Sequence, residues 1–229
     1  MATNKKRLLN SRKLVAKVNP KSPISEQYRT IRTNILFSSV DKEIRTLMVT
    51  SSGPGEGKST TAANLAVVFA QQGKRVLLVD ADLRKPTVHY TFNINNIIGL
   101  TSVLTNQMSL VEAIHADEKN LYLLSSGPIP PNPSELLGSK AMKYFLQKAL
   151  EEFDLVLFDT PPVLAVTDAQ VLSNLCDGSI LVASYGNTEK DSLIKTKDLL
   201  EASNGKILGL VLNNKKQDKN GNYYYYGTN

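Results

Sequence analysis

Residues 50–61 read TSSGPGEGKSTT, a run of small residues that ends in a lysine and three hydroxyls. Gly53, Gly55 and Gly57 allow successive backbone N–H groups to turn inward around phosphate oxygens. A helix beginning directly after them adds its positive end to the same place. In that arrangement Lys58 reaches the β- and γ-phosphates of a nucleotide, and the Ser59 hydroxyl ligates Mg²⁺. Gly53, Pro54, Gly55, Glu56, Gly57, Lys58, Ser59 and Thr60 together form the candidate nucleotide-binding set. Counted back from Gly57, the first position of the pattern GxxxxGK[ST] is Ser52 instead of glycine, a small residue the turn tolerates.

Two further stretches carry acids. VLLVDADLR presents Asp80 and Asp82, followed by Arg84, and LVLFDTPP ends in Asp159. In a parallel sheet, ligands bind beyond the carboxyl ends of the strands, where all three carboxylates belong. Acids facing the same phosphates make sense when a divalent cation offsets their charge, so Ser59, Asp82 and Asp159 are the candidate Mg²⁺ ligands. One strand-end aspartate could simply cap the next helix. Three beside a glycine loop argue for chemistry.

The elements that must hold these residues are legible as alternation. IRTLMVTS, RVLLVDAD, LYLLSSG, DLVLFDTPP, GSILVASYG and KILGLVLNN read as strands. They are near-continuous apolar runs, as expected where helices cover both faces of a parallel sheet. SPISEQYRTIRTNILFSSV reads as a helix capped by Ser22 or Ser25, with Ile24, Tyr28, Ile31 and Ile35 on one face. STTAANLAVVFAQQG, SKAMKYFLQKALEEF, DAQVLSNLC and EKDSLIKTKDLLEAS supply the others. The expected fold is one doubly wound α/β domain with a mainly parallel sheet. Residues 125–139, with four prolines, read as a stiff extended loop.

Composition sets outer limits. The chain has 229 residues, 41% hydrophobic and 21% charged, as in an ordinary globular domain. Seven of its basic residues precede Ser22 with no acid among them, and the remaining 20 nearly balance 21 acids. The net charge of +6 is therefore a property of a basic arm, residues 1–21, suited to an anionic surface or partner. No interleaved aromatics support nucleic acid. A single cysteine, Cys176, fits a reducing cytosol, and no apolar run reaches the roughly 18 residues of a spanning helix. At the other end, residues 214–229 combine polar turn-formers with Tyr223, Tyr224, Tyr225 and Tyr226, a composition that predicts a mobile tail. Residues 22–213 are the intervening domain.

Taken in order, SGPGEGKST, VLLVDADLR, LFDTPP, GPIPPNPSELL and the terminal tyrosines resemble the bacterial tyrosine kinases that control capsule and exopolysaccharide production. The resemblance implies a P-loop NTPase architecture of the MinD/ParA kind, ATP and Mg²⁺ as cofactors, and autophosphorylation of Tyr223–Tyr226. It implies Asp80 as acceptor of the tyrosine proton, although Asp80 and Asp82 can exchange roles, and Asn213 as a reader of adenine. Glu26, Arg29 and Arg32 match the family's E-x-x-R-x-x-R ring-interface motif. From helical spacing they lie beside or opposite the apolar stripe, exposed for pairing between subunits. The family also implies a separate transmembrane activator, whose cytoplasmic tail supports the kinase at the inner face of the membrane, and protein substrates in polysaccharide synthesis.

Two rivals compete. Positioning ATPases of the ParA or MinD type usually carry a second lysine at the start of the loop, where Gly53 stands here. A non-catalytic, nucleotide-gated scaffold is the other, its tail phosphorylated by another enzyme.

Overall fold

A computed structural model describes residues 14–38 and 42–215. It opens with a single helical turn, α1 (Val15–Val18), followed by α2 (Pro23–Phe37). The first βαβ unit is β1 (Thr46–Ser51), α3 (Lys58–Gln71) and β2 (Val76–Asp80). Three short helices follow, α4 (Val88–Phe92), α5 (Leu100–Leu104) and α6 (Leu110–Ala113), and then the hairpin of β3 (His115–Glu118) and β4 (Leu121–Leu124). Next come α7 (Pro133–Leu137), α8 (Lys140–Glu152), β5 (Leu155–Asp159) and α9 (Asp168–Ser173). The described chain closes with β6 (Gly178–Ser184), α10 (Lys190–Ala202) and β7 (Ile207–Asn213).

Among the described residues the sheet has seven strands in the order β3-β4-β2-β5-β1-β6-β7, and only β3 runs antiparallel to its neighbour. Alternation across the strands feeds two cores. Leu47, Val49, Leu78, Leu155 and Leu157 face a layer that contains Leu14, Ala16, Ile35 and most of α3. Met48, Leu77, Val79, Val156 and Phe158 face the other, with Leu137, Phe145, Leu172 and Leu200. Residues 61–70 of α3 are buried without a break, which explains why its sequence is apolar all round and rich in alanine.

All six expected strands are present, and β3 is the addition. It reads HADE, a polar edge segment without β-branched residues, so nothing in its pattern announces it. In the proline-rich stretch a helical turn, α7, starts at Pro133, where a missing N–H costs nothing at the first helical position. Ser22, and not Ser25, caps α2; its Oγ accepts from Ser25 N at 3.1 Å. The expected apolar stripe is incomplete, because Ile24 is 52% exposed.

Part of the basic leader belongs to the body. Leu14 and Ala16 are buried, and the peptide of Ala16 is held from both sides by α3. Its N–H donates to Asn64 Oδ1 at 3.0 Å, and its carbonyl accepts from Gln71 Nε2 at 3.0 Å. Lys17 Nζ pairs with Asp117 at 2.7 Å on β3. Among the described residues no helix is long and apolar enough to cross a membrane.

Candidate active site

The glycine loop leaves β1 at Ser51 and enters α3 at Lys58, as the sequence pattern requires. Gly55 and Gly57 adopt φ of 78° and 97°, the left-handed region that glycine enters without strain. A Cβ on Gly57 would sit 2.0 Å from Asn213 Nδ2. We therefore expect Gly57→Ala to weaken nucleotide binding at least tenfold and to cost about 1–2 kcal/mol of stability for the left-handed backbone alone. Nucleotide titration and urea unfolding of the variant check this.

Parallel register brings the acids together. Asp80 and Asp159 are direct partners on β2 and β5, and Val49 pairs with Asp159 on the other side. Lys58 Nζ lies 3.1 Å from Asp82 Oδ2 and 3.6 Å from Asp159 Oδ1, and 3.3 Å from Ser59 Oγ. Burial works against the charge of Lys58, but Asp159 and Asp82 outweigh it and hold the ammonium above its ordinary pKa. Asp159 is fully buried, and burial pushes its pKa up, with Lys58 and Ser59 pulling the other way. Neither of its carboxylate oxygens has a hydrogen-bonding partner in good geometry.

Asp80 is held differently. Its Oδ2 accepts from Thr87 N and Val88 N, each at 2.8 Å, and its Oδ1 from Asp82 N at 3.3 Å. Burial and then the charge of Asp159 push it up to about 7, against the pull of the two backbone donors. Asp82 Oδ1 accepts from Lys85 N at 3.0 Å, so the loop after β2 is folded around both acids.

The fit to a divalent cation is favourable. The buried oxygens of Asp159, without a hydrogen bond of good geometry, and the nearby Ser59 and Asp82 form a hard-oxygen donor set of the kind a divalent cation takes. Among the described residues no group of three or more His, Cys, Asp or Glu side chains forms a full protein cage. Mg²⁺ typically keeps waters and phosphate oxygens and takes only one or two carboxylates.

The remaining candidates divide. Asn213 Nδ2 donates to the Glu56 carbonyl at 3.0 Å, so the last strand ends against the loop. Glu26 pairs with Arg29 within α2, and Arg29 Nη2 donates to Pro20 O at 2.7 Å. Arg32 departs from the exposed placement that spacing gave it. Its Nη1 donates to Val68 O at 2.8 Å, because α2 packs on α3 more closely than an isolated helix reveals. Tyr223–Tyr226 lie outside the described residues.

Several supporting residues escaped the sequence reading. Arg84 makes a two-pronged pair with Asp168 at 2.9 and 3.0 Å, and Asp168 is fully buried on α9. Thr196 on α10 donates to Ser52 Oγ at 2.9 Å, which anchors the position where glycine was expected. Thr188 donates to Glu56 Oε1 at 2.7 Å. Only the arginine of D-x-D-x-R gave any signal in the sequence.

Fold and site together define a P-loop nucleotide-binding protein of the doubly wound α/β class. Residues 13–200 match the AAA domain family. The tyrosine-protein kinase YwqD of Bacillus subtilis is 59% identical over 95% of this chain and 92% of its own length. The putative tyrosine-protein kinase CapB of Staphylococcus aureus is 43% identical over 90% of this chain and 91% of its own. The crystal structure of the chimerical protein CapA2B2 superposes with a TM-score of 0.86 at 46% identity, covering 89% of this chain and 90% of that one. The chain belongs to the bacterial tyrosine-protein kinase family.

Proposed function

We propose that this chain transfers the γ-phosphoryl group of ATP to the tyrosines of its own C-terminal cluster, Tyr223–Tyr226, between subunits of a ring. The observation that carries the reading is the lysine–acid cluster at the glycine loop: Lys58 between Asp82 and Asp159, with Asp80 beside them. When ATP enters, Lys58 exchanges carboxylate partners for the β- and γ-phosphates, and backbone N–H groups of residues 53–60 surround the phosphate oxygens. Ser59, Asp82 and Asp159 would hold Mg²⁺ directly or through water, and the cation would supply charge neutralisation at the phosphates. A tyrosine Oη forms a bond to Pγ as the bond to the bridging β–γ oxygen breaks, and ADP departs. The phenolic proton passes to the Asp80–Asp82 pair. Asp80, pushed up to about 7, is a better proton acceptor at neutral pH than an ordinary carboxylate. Alignment and electrostatic stabilisation contribute most of the acceleration.

β7 ends beside the loop, so the segment that follows leaves next to the nucleotide. Residues 214–223, fully extended, span about 30 Å, enough to reach a neighbouring subunit. Glu26, Arg29 and Arg32 on α2 are the proposed ring contacts. A membrane activator's cytoplasmic tail supports the active assembly at the inner membrane face, where proteins of capsule or exopolysaccharide synthesis are further substrates. Family membership at 59% and 43% identity favours the kinase over a positioning ATPase.

The test is mass spectrometry of the purified protein after incubation with ATP, Mg²⁺ and candidate activator tails. We expect up to four added phosphates on residues 223–226, and almost none after all four tyrosines are replaced by phenylalanine. Each phosphate adds about −1.5 to −2 charges, so size measurement should show the ring loosening as phosphates accumulate. ATP consumed without added mass on the tail would overturn the reading.

A further inference from the structure

An acid inside a phosphate-binding loop is an electrostatic problem, because it adds negative charge where a triphosphate must sit. Glu56 is such an acid, and it is only 8% exposed. Both of its carboxylate oxygens are engaged. Oε2 accepts from Ser52 N at 3.0 Å, across the loop, and Oε1 accepts from Thr188 Oγ1 at 2.7 Å, in the connection between β6 and α10. Thr188 Oγ1 in turn accepts from Ser184 N at 2.8 Å. Ser184 Oγ lies 3.0 Å from Asn214 Nδ2, and Tyr185 N donates to Asn213 O at 2.8 Å. Asn213 Nδ2 then returns to the Glu56 carbonyl at 3.0 Å. The circuit is closed, and it joins the glycine loop to the ends of β6 and β7.

We propose that Glu56 is a positioning residue that, through Thr188, holds the phosphate loop in its binding shape and couples nucleotide occupancy to the end of β7, from which the C-terminal segment departs. The proposal rests on the nucleotide reading above. Its logic is preorganisation: a loop whose first residue is already fixed by a carboxylate loses less freedom when phosphate arrives. A hydroxyl donating to a carboxylate is a charge-assisted bond, among the stronger single contacts available. Because coupling free energies are reciprocal, whatever orders the base of the C-terminal segment must also tighten nucleotide binding.

The experiment compares wild type, Glu56→Ala, Thr188→Val, the double variant and Thr188→Ser by calorimetric titration with Mg²⁺·ADP. Hydrogen exchange at residues 184–189 and 213–215, with and without nucleotide, is the second readout. We expect each disruptive single variant to weaken ADP about tenfold, the double variant to be no weaker than Glu56→Ala, and Thr188→Ser to restore binding. Nucleotide-dependent protection of residues 184–189 should vanish in Thr188→Val. Affinity within about twofold of wild type in folded Thr188→Val, strictly additive losses, or protection that survives would each overturn the proposal. Should Glu56→Ala fail to fold, Thr188→Val decides alone. Wild-type protein that does not bind ADP would remove the nucleotide reading as well, whereas binding unaffected by Thr188→Val removes only this inference.

Discussion

We expect Lys58→Met to lower tyrosine labelling at least a thousandfold, and mixing this variant with a second inactive one to restore it. Lys58 is the only cation within reach of both Asp82 and Asp159 among the pairs described, and it is nearly buried with them. Methionine preserves most of the side chain's length and apolar surface while removing the charge that must meet the β- and γ-phosphates. Loss of one preorganised electrostatic contact to a developing charge costs about 10²–10³ in rate. Here the same substitution also removes the cation nearest Asp82 and Asp159, which weakens attraction for the triphosphate and deepens the loss. The second variant carries phenylalanine at Tyr223–Tyr226 and keeps an intact nucleotide site but no acceptors. Transfer between subunits predicts labelled tails on the Lys58→Met chain alone. Transfer within one chain predicts none, because each chain then lacks one half of the reaction. Labelling by the Lys58→Met protein on its own would point to a different phosphate donor site.

The glycine loop and its acids were legible because each is a local pattern whose context, strand before and helix after, is written into the neighbouring residues. Five of the six expected strands, β1, β2, β4, β5 and β6, were legible for a related reason, since burial on both faces forces continuous apolar runs, whereas the part-exposed edge strand β7 was legible from its apolar run alone. β3 was not, since an edge strand with half-exposed, polar residues has no such constraint. Helices of four or five residues, such as α1 and α6, are shorter than the window in which a 3.6-residue period can be recognised. The supports of the site were hidden by chain distance. Thr188 is 132 residues from Glu56, and Thr196 is 144 from Ser52, so no spacing in the sequence connects them. Arg32 is the reverse case: helical spacing fixes its position on α2, but the surface it faces is set by how α2 lies on α3, which is a tertiary fact.

We expect Asp80→Asn to stabilise the nucleotide-free protein at pH 8 while sharply lowering its labelling activity. Asp80 shares a register position with Asp159 and lies two residues from Asp82, all of them buried. Its pKa, pushed up to about 7 by burial and by Asp159, lies above the value of 3.8 it has in the open chain. Between those two values the folded protein binds more protons than the unfolded one, so stability must fall as pH rises through this window and level off above it. At about 1.4 kcal/mol per unit, this single group accounts for a decline of up to about 4 kcal/mol between pH 4 and pH 7. Asparagine retains an oxygen for the Thr87 and Val88 N–H groups and does not ionise, so the variant should show a shallower decline. Asp159, also raised by burial, preserves part of the slope. Urea unfolding at pH 5 and pH 8 separates the two proteins: midpoints nearly equal at pH 5, and the variant clearly higher at pH 8. Labelling of the tail in the same preparation should fall by about 10²–10⁴, the range for loss of a positioned proton acceptor. Equal pH slopes would place the shared proton on another group of the cluster. A stabilised variant with undiminished labelling would assign the acceptor role to Asp82 instead.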